Sequence, residues 1–298
     1  MQAKINDTVT ATFLVDTGSS ANFISQAIVD KLGLKPQITT QIVIPFLLEG
    51  KQATFVSPEN VLIGSLTLQG GAYIVLSSKA LATMTGEAVD GILSMQMLRY
   101  FAIDLDFPRH QMTLWIPNAL NDEAVKQVGF SNAFTVPLIS SIPDLILNDP
   151  AKAMASAEAY WNLKYFVPVQ IGDGVHVSQQ NLLLDTGSGI TIFPAVVSES
   201  LHLKVQEAIP LPKRLFGSQR GNFVQAPNLQ IGGLHFVNHT VGILQSKTEG
   251  SGPVRETGIL GIDALSGYRA LIDFGAKKMY IKSAVPQIRI GAPLEEKP

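Results

Sequence analysis

Cysteine is absent from this 298-residue chain, which excludes disulfides, thiolate zinc sites and cysteine nucleophiles together. The compartment stays open, because a cysteine-free chain folds in oxidising or reducing surroundings. Charge is also scarce. Charged residues make up 15%, and 22 Lys+Arg against 24 Asp+Glu leave a net charge of -2. No basic stripe is present to neutralise phosphates, so nucleic acid is not an expected partner. Disorder needs few apolar residues and a high net charge, and the hydrophobic fraction here is 46%. A membrane-length apolar run is lacking too. Residues 60–78, a charge-free stretch, are broken by Gly64, Gln69, Gly70 and Gly71 and alternate apolar with polar. There is no G-x-S-x-G nucleophile elbow, no G-x-G-x-x-G opening a helix, and no charged start followed by an apolar core.

What the chain has is repetition. FLVDTGSS at 13–20 matches LLLDTGSG at 182–189, 169 residues on, and VLIGSLTL at 61–68 matches LQIGGLHF at 229–236, 168 on. GILSM at 91–95 matches GILGI at 258–262, and LDFPRHQMTL at 105–114 matches IDFGAKKMYI at 272–281, both 167 on. Four blocks in one order, with spacing that drifts by two residues, define a duplicated unit of roughly 115 residues and not a solenoid of many short repeats. The units divide the chain into residues 1–116, a connector at 117–165, and residues 166–298.

Local signals in each copy are mainly strand. TATFLV and QQNLLL are short apolar runs that end at Asp-Thr-Gly, and SLTLQGGAYIV and GLHFVNHTVGI alternate as half-buried hairpins do. One short helix follows each Asp-Thr-Gly block. Ser25 is its expected N-cap and Gly33 its expected stop in copy one, and Pro194 suits the first turn in copy two. The fold class expected is all-β with a few short helices. In the connector, FTVPLISS at 134–141 suits a strand or an extended segment. Asp149-Pro150 before AKAMASAEAYWNL predicts a capped helix. Copy two has a strand-like lead-in, KYFVPVQIGDGVHVSQQN, where copy one has only MQAKINDTVTA. That difference points to a natural start upstream of Met1, and from there to an exported or periplasmic protein whose leader is removed.

One Asp-Thr-Gly is an ordinary turn sequence. Two at matched positions of a duplicated unit are a chemical pattern. If the copies pack about a pseudo-twofold axis, the same loop of each meets its partner there, and Asp16 faces Asp185. Two carboxylates that close share one proton and titrate as a pair. The ionised partner can activate a water and the protonated one can donate to a carbonyl, which makes an amide hydrolase without metal or cofactor. Thr17 and Thr186 are expected to lock the loops across the axis. Gly18 and Gly187 are expected to let backbone approach the carboxylates, and Ser19 and Ser188 to donate to the outer carboxylate oxygens.

These blocks resemble the aspartic protease superfamily, in its bilobal pepsin-like and homodimeric retropepsin-like forms. The resemblance spans both copies and leaves out the connector. It implies two pseudo-twofold-related β-barrel lobes with a catalytic dyad at Asp16 and Asp185, supported by Thr17, Gly18, Ser19, Thr186, Gly187 and Ser188. It also implies a peptide or protein substrate held under a β-hairpin flap, in a single-chain pseudo-dimer acting as a monomer. The cysteine-free, short copies look most like bacterial, retropepsin-like relatives. The copies differ at two places that matter. Ser94 stands where copy two has Gly261, and a side chain there is expected to crowd the Asp16 turn. The candidate flap at 42–55 lacks the tyrosine that pepsin-like members carry on theirs and offers Phe46 to cover a substrate, and its counterpart at 214–223 has Phe216, so one flap or two can close. An aspartic endopeptidase is the leading expectation. The alternative is a silent relative that binds peptides or a protein partner in the same cleft.

The five histidines, His110, His176, His202, His235 and His239, are read as surface or structural residues, and no metal site is expected. Asp106 and Asp273 repeat across the copies at strand ends and suit turn-capping roles.

Overall fold

A computed structural model describes residues 1–41, 52–116, 120–142, 163–203, 205–210, 220–244 and 257–283. The chain is mostly β-sheet with a few short helices, in two lobes joined by a shared sheet. Among the described residues no helix is long and apolar enough to cross a membrane.

Each Asp-Thr-Gly sequence follows a strand wedged between two others. In copy one Val9–Asp16 turns Val9, Ala11 and Phe13 inward and Thr10 and Thr12 outward, the period-two burial of a half-buried strand. It pairs antiparallel with Gln2–Ile5 and parallel with Gly91–Ser94, which sets Asp16 opposite Ser94. In copy two Val177–Leu184 pairs antiparallel with Tyr165–Gly172 and parallel with Ile259–Leu260. Both Asp-Thr-Gly turns therefore leave a strand that is fixed on its two edges, and the position of the turn is over-determined.

The helix after the first turn is Gln26–Leu32. Its N-cap Ser25 accepts from the Ile28 N–H at 3.3 Å, and it ends at Gly33 with a left-handed φ of 61°. In copy two Val196–Ser200 follows Pro194. The two expected hairpins fold differently. Leu66–Gln69 pairs back on Asn60–Ile63, whereas Tyr73–Leu76 joins Asn22–Ser25 and Gln52–Val56 elsewhere in the sheet. Leu234–Leu244 is a single strand paired to Arg220–Ile231. Alternation fixes which face a residue takes but not which strand lies beside it, so the turns fall at Gly64-Ser65 and Gly232-Gly233 instead.

Ile38–Gln41 pairs with Gln52–Val56 and Val205–Pro210 with Arg220–Ile231, so each lobe carries the paired base of a hairpin at the candidate flap position. Phe46, Phe216 and the helix expected after Pro150 lie outside the described residues.

The shared sheet has five strands, in the order Gln111–Trp115, Ala102–Asp106, Tyr268–Asp273, Lys278–Ser283 and Phe134–Pro137. Copy one contributes two, copy two contributes two, and the connector supplies the last. The central pairing sets Ala102 against Asp273, Asp104 against Leu271 and Asp106 against Arg269. With the 167-residue spacing, Ala102 faces the counterpart of Asp106, Asp106 faces the counterpart of Ala102 and Asp104 faces its own, the self-complementary register that a local twofold produces. The axis passes between Asp104 and Leu271. Across it the Arg269 guanidinium grips the buried Asp104 carboxylate with two hydrogen bonds, one at 2.8 Å. Asp106 and Asp273 hold their turns, accepting from the N–H of Arg109 at 3.2 Å and of Ala276 at 2.9 Å.

One continuous apolar core runs through both copies, from Phe13 and Leu93 to Leu184, Phe193 and Ile272. Smaller clusters sit at matching places in the lobes, around Phe23 and Ile92 in the first and Ile192 and Ile259 in the second.

Candidate active site

Thr17 and Thr186 meet at the axis in four reciprocal hydrogen bonds. The Thr17 N–H donates to Thr186 Oγ1 at 3.2 Å and the Thr186 N–H to Thr17 Oγ1 at 3.1 Å. Each hydroxyl then donates across the axis, Thr17 to the Leu184 carbonyl and Thr186 to the Val15 carbonyl, both at 2.7 Å. Val15 and Leu184 are themselves counterparts. Both threonines are buried, so no water competes for these bonds.

This clasp brings the carboxyls of Asp16 and Asp185 together at the axis, each against the turn of the opposite copy. Gly18 and Gly187 lie against the carboxyl of the opposite lobe. A Cβ on Gly18 would fall 2.3 Å from Asp185 Cγ, and one on Gly187 would fall 2.5 Å from Asp16 Cγ. The glycines are thus required by the other copy's aspartate, a close approach that any side chain would block.

Ser19 and Ser188 take a different part from the one expected. Their hydroxyls donate to the carbonyls of Ala21 and Ile190, each at 2.9 Å, and so close the turn on itself. A hydroxyl has one proton to give, and here it is spent locally. Backbone holds the carboxylates instead. The Ser19 N–H donates to Asp16 Oδ1 at 2.8 Å and the Gly187 N–H to Asp185 Oδ1 at 2.9 Å.

Ser94 does not crowd the Asp16 turn. Its N–H and its hydroxyl both donate to Asn22 Oδ1 at 2.9 Å, in a fully buried contact. In copy two the Gly261 N–H donates to Thr191 Oγ1 at 3.2 Å, and a Cβ there would lie 2.5 Å from the Ile190 backbone. Asn22 with Ser94 and Thr191 with Gly261 are two solutions to one contact. Behind them, Asn22 meets Gln96 and Thr191 meets Asp263, again at matching positions. The backs of both turns are tied alike, by the Met95 N–H to the Ser19 carbonyl and the Ile262 N–H to the Ser188 carbonyl.

Burial pushes both carboxyls above the ordinary carboxylate range. Asp185, 7% exposed, is raised well above it, first by burial and then by the charge of Asp16. Asp16 is raised by burial as well. Its carboxylate is favoured, however, by the charge of Lys164, the hydrogen bond from Asp185, and the N–H groups of Ser19 and Gly18. Both carboxyls are thus disfavoured as simultaneous anions, and they lose their protons as a pair and not as two independent acids.

Lys164 is the residue that sequence reasoning missed. It is 7% exposed, and its ammonium donates to the carbonyl of Gly18 in the first turn. Burial lowers its pKa, and the charges of Asp16 and Asp185 oppose that. The available signal was one lysine at the head of the apolar strand YFVPV.

Asp173, His176 and His202 form the one cluster of potential metal ligands among the described residues. Asp173 Oδ1 already accepts from the N–H groups of Val175 and His176. Oδ2 takes the His202 N–H at 3.0 Å and His176 Nδ1 at 3.2 Å. All four acceptor positions of the carboxylate are filled, which makes it a clasp between two loops.

The profile of the aspartyl protease family matches residues 1–97 and 167–264, and the chain belongs to that family. No curated protein matches it. Among solved structures it is similar to the aspartic proteinase from Irpex lacteus, at 14% identity and a TM-score of 0.48, covering 95% of this chain and 93% of that one.

Proposed function

We propose that the chain is an aspartic endopeptidase that hydrolyses peptide bonds with Asp16 and Asp185 as its catalytic dyad. The reading is supported by the meeting of the two carboxyls at the axis, each packed against the glycine of the opposite turn. In this mechanism the ionised Asp16 takes a proton from a water held between the carboxyls. The water oxygen bonds to the peptide carbonyl carbon, and Asp185 passes its proton to the carbonyl oxygen. The diol so formed is neutral. It collapses when Asp16 gives its proton to the leaving nitrogen, the C–N bond breaks, and one diol proton returns to Asp185. The backbone N–H groups of Ser19 and Gly187 hold the two carboxyls in orientation throughout, and the threonine clasp keeps the lobes in register. The substrate is a peptide or an unfolded protein segment lying extended across the axis.

The rate should fall on the acid side as Asp16 becomes protonated and on the alkaline side as the pair loses its shared proton. Casein digestion from pH 3 to 7, with and without a statine inhibitor, tests the assignment. Cleavage should be blocked by statine and lost in Asp16→Asn and in Asp185→Asn, with both variants folded. Statine binding without cleavage by the wild-type protein would establish a peptide-binding relative instead. Cleavage retained by either variant would refute the shared dyad.

A further inference from the structure

The dyad is accompanied by a buried cation that the two-aspartate mechanism does not use. We propose that Lys164 is a positioning residue that ties the second copy to the first active-site turn, and that its ammonium charge sets the pH window in which the dyad holds one proton. The inference rests on the proposed dyad, and its geometry stands apart from it.

Lys164 lies between the buried Leu163 and the strand Tyr165–Gly172, at the point where the connector enters copy two. Its backbone is clamped on both sides. The Lys164 N–H donates to Ser141 Oγ at 2.9 Å, and the Ser141 N–H donates to the Lys164 carbonyl at 2.9 Å. The next residue, Tyr165, packs its ring on Phe274 with centroids 4.9 Å apart and donates its hydroxyl to the Phe274 carbonyl at 3.3 Å. With the main chain so fixed, the side chain spans from the start of copy two to the Gly18 carbonyl of copy one. Gly18 is the residue that also packs against Asp185. One lysine therefore holds the turn through which the two aspartates touch.

The ammonium bonds to the turn and not to a carboxylate, so it does not block the dyad. The groups whose charges act on it are Asp16, on the strand Val9–Asp16, and Asp185, at the turn after Val177–Leu184. The phenol of the next residue, Tyr165, is neutral and lies in the field of Arg99 and Asp273. A singly protonated dyad alone carries one negative charge in a buried site. With Lys164 the cluster is neutral, and a buried neutral cluster avoids the cost of an uncompensated ion. The cation favours each further ionised carboxyl, so it lowers both apparent pKa values of the pair. An opposite charge within about 4–6 Å typically moves a carboxyl by about one to three pH units.

The test is a carboxyl-carbon NMR titration of Asp-labelled wild-type protein, Lys164→Met and Lys164→Arg, alongside pH–rate profiles of peptide cleavage. Both apparent pKa values of the dyad should rise by about one to three units in Lys164→Met. The cleavage profile should move with them, and Lys164→Arg should restore the wild-type values. A folded Lys164→Met protein with unmoved dyad pKa values would overturn the proposal and leave Lys164 a mere anchor. Should Lys164→Met fail to fold, the Nζ nitrogen signal of the wild-type protein decides. It should report an ammonium wherever Asp16 is ionised, and a neutral amine there would refute the charge role. Dyad values that shift in a protein without cleavage activity would refute the protease reading alone, and active protein with unshifted values would refute the lysine role alone.

Discussion

Replacing Thr186 by valine keeps the shape of the side chain and deletes its hydroxyl. Two bonds go with it, the one from the Thr17 N–H and the one to the Val15 carbonyl. The Thr17 N–H is left buried and the Val15 carbonyl partly buried, and each unsatisfied group costs about 1–3 kcal/mol, so the variant should lose roughly 2–6 kcal/mol. That is a large part of the ~5–15 kcal/mol that holds a typical domain together. Thr17→Val removes the other two bonds of the clasp, and no bond belongs to both sets. The two single variants should therefore lose similar amounts, although they lie 169 positions apart in the chain. Urea denaturation of both proteins, followed by tryptophan fluorescence and far-UV circular dichroism, supplies the numbers. A loss below about 0.5 kcal/mol in either variant, or a large loss in only one, would refute the reciprocal clasp.

The dyad should also leave a pH signature on stability. A carboxyl whose folded-state pKa is raised stabilises fully below its ordinary value, and that contribution is lost as pH rises through the folded value. The urea midpoint of Asp185→Asn should accordingly gain on the wild type from about pH 4 to pH 8, and a constant difference would contradict the shared proton. Gly18→Ala and Gly187→Ala place a Cβ 2.3 Å and 2.5 Å from the opposing carboxyl carbon. Each should abolish peptide cleavage and cost about 1–3 kcal/mol by overpacking, and near wild-type activity in either would show that the carboxyls do not press on the opposite turn.

Much of this site is legible in the residues themselves. The paired FLVDTGSS and LLLDTGSG blocks announce a twofold site, because identical turns at matched places of a duplicated unit meet only at its axis. Other features escape for physical reasons. Lys164 has no counterpart in the described chain, since the matching position would fall before Met1, so a comparison of copies passes over it. Its role depends on where a flexible four-carbon stem ends, which no spacing encodes. Ser94 looks disruptive when read singly and harmless once Asn22 is seen beside it, because the contact is solved by pairs of residues drawn from separate strands. The Ser19 and Ser188 hydroxyls could reach either a carboxylate or a nearby carbonyl, and the turn geometry decides for the carbonyl. Alternation in SLTLQGGAYIV gives the faces of Leu66–Gln69 but misses that Tyr73–Leu76 is buried on both, and it gives partners wrongly, for a strand's neighbour is set by the sheet and not by its own sequence.

Neutron diffraction from crystals grown near pH 5 and exchanged into D2O would locate the hydrogen at the centre of the mechanism. One deuterium between the two carboxyl groups, bonded to Asp185 and directed at Asp16, is the expected result. Two deuterons, or none, or carboxyls each solvated alone, would contradict it.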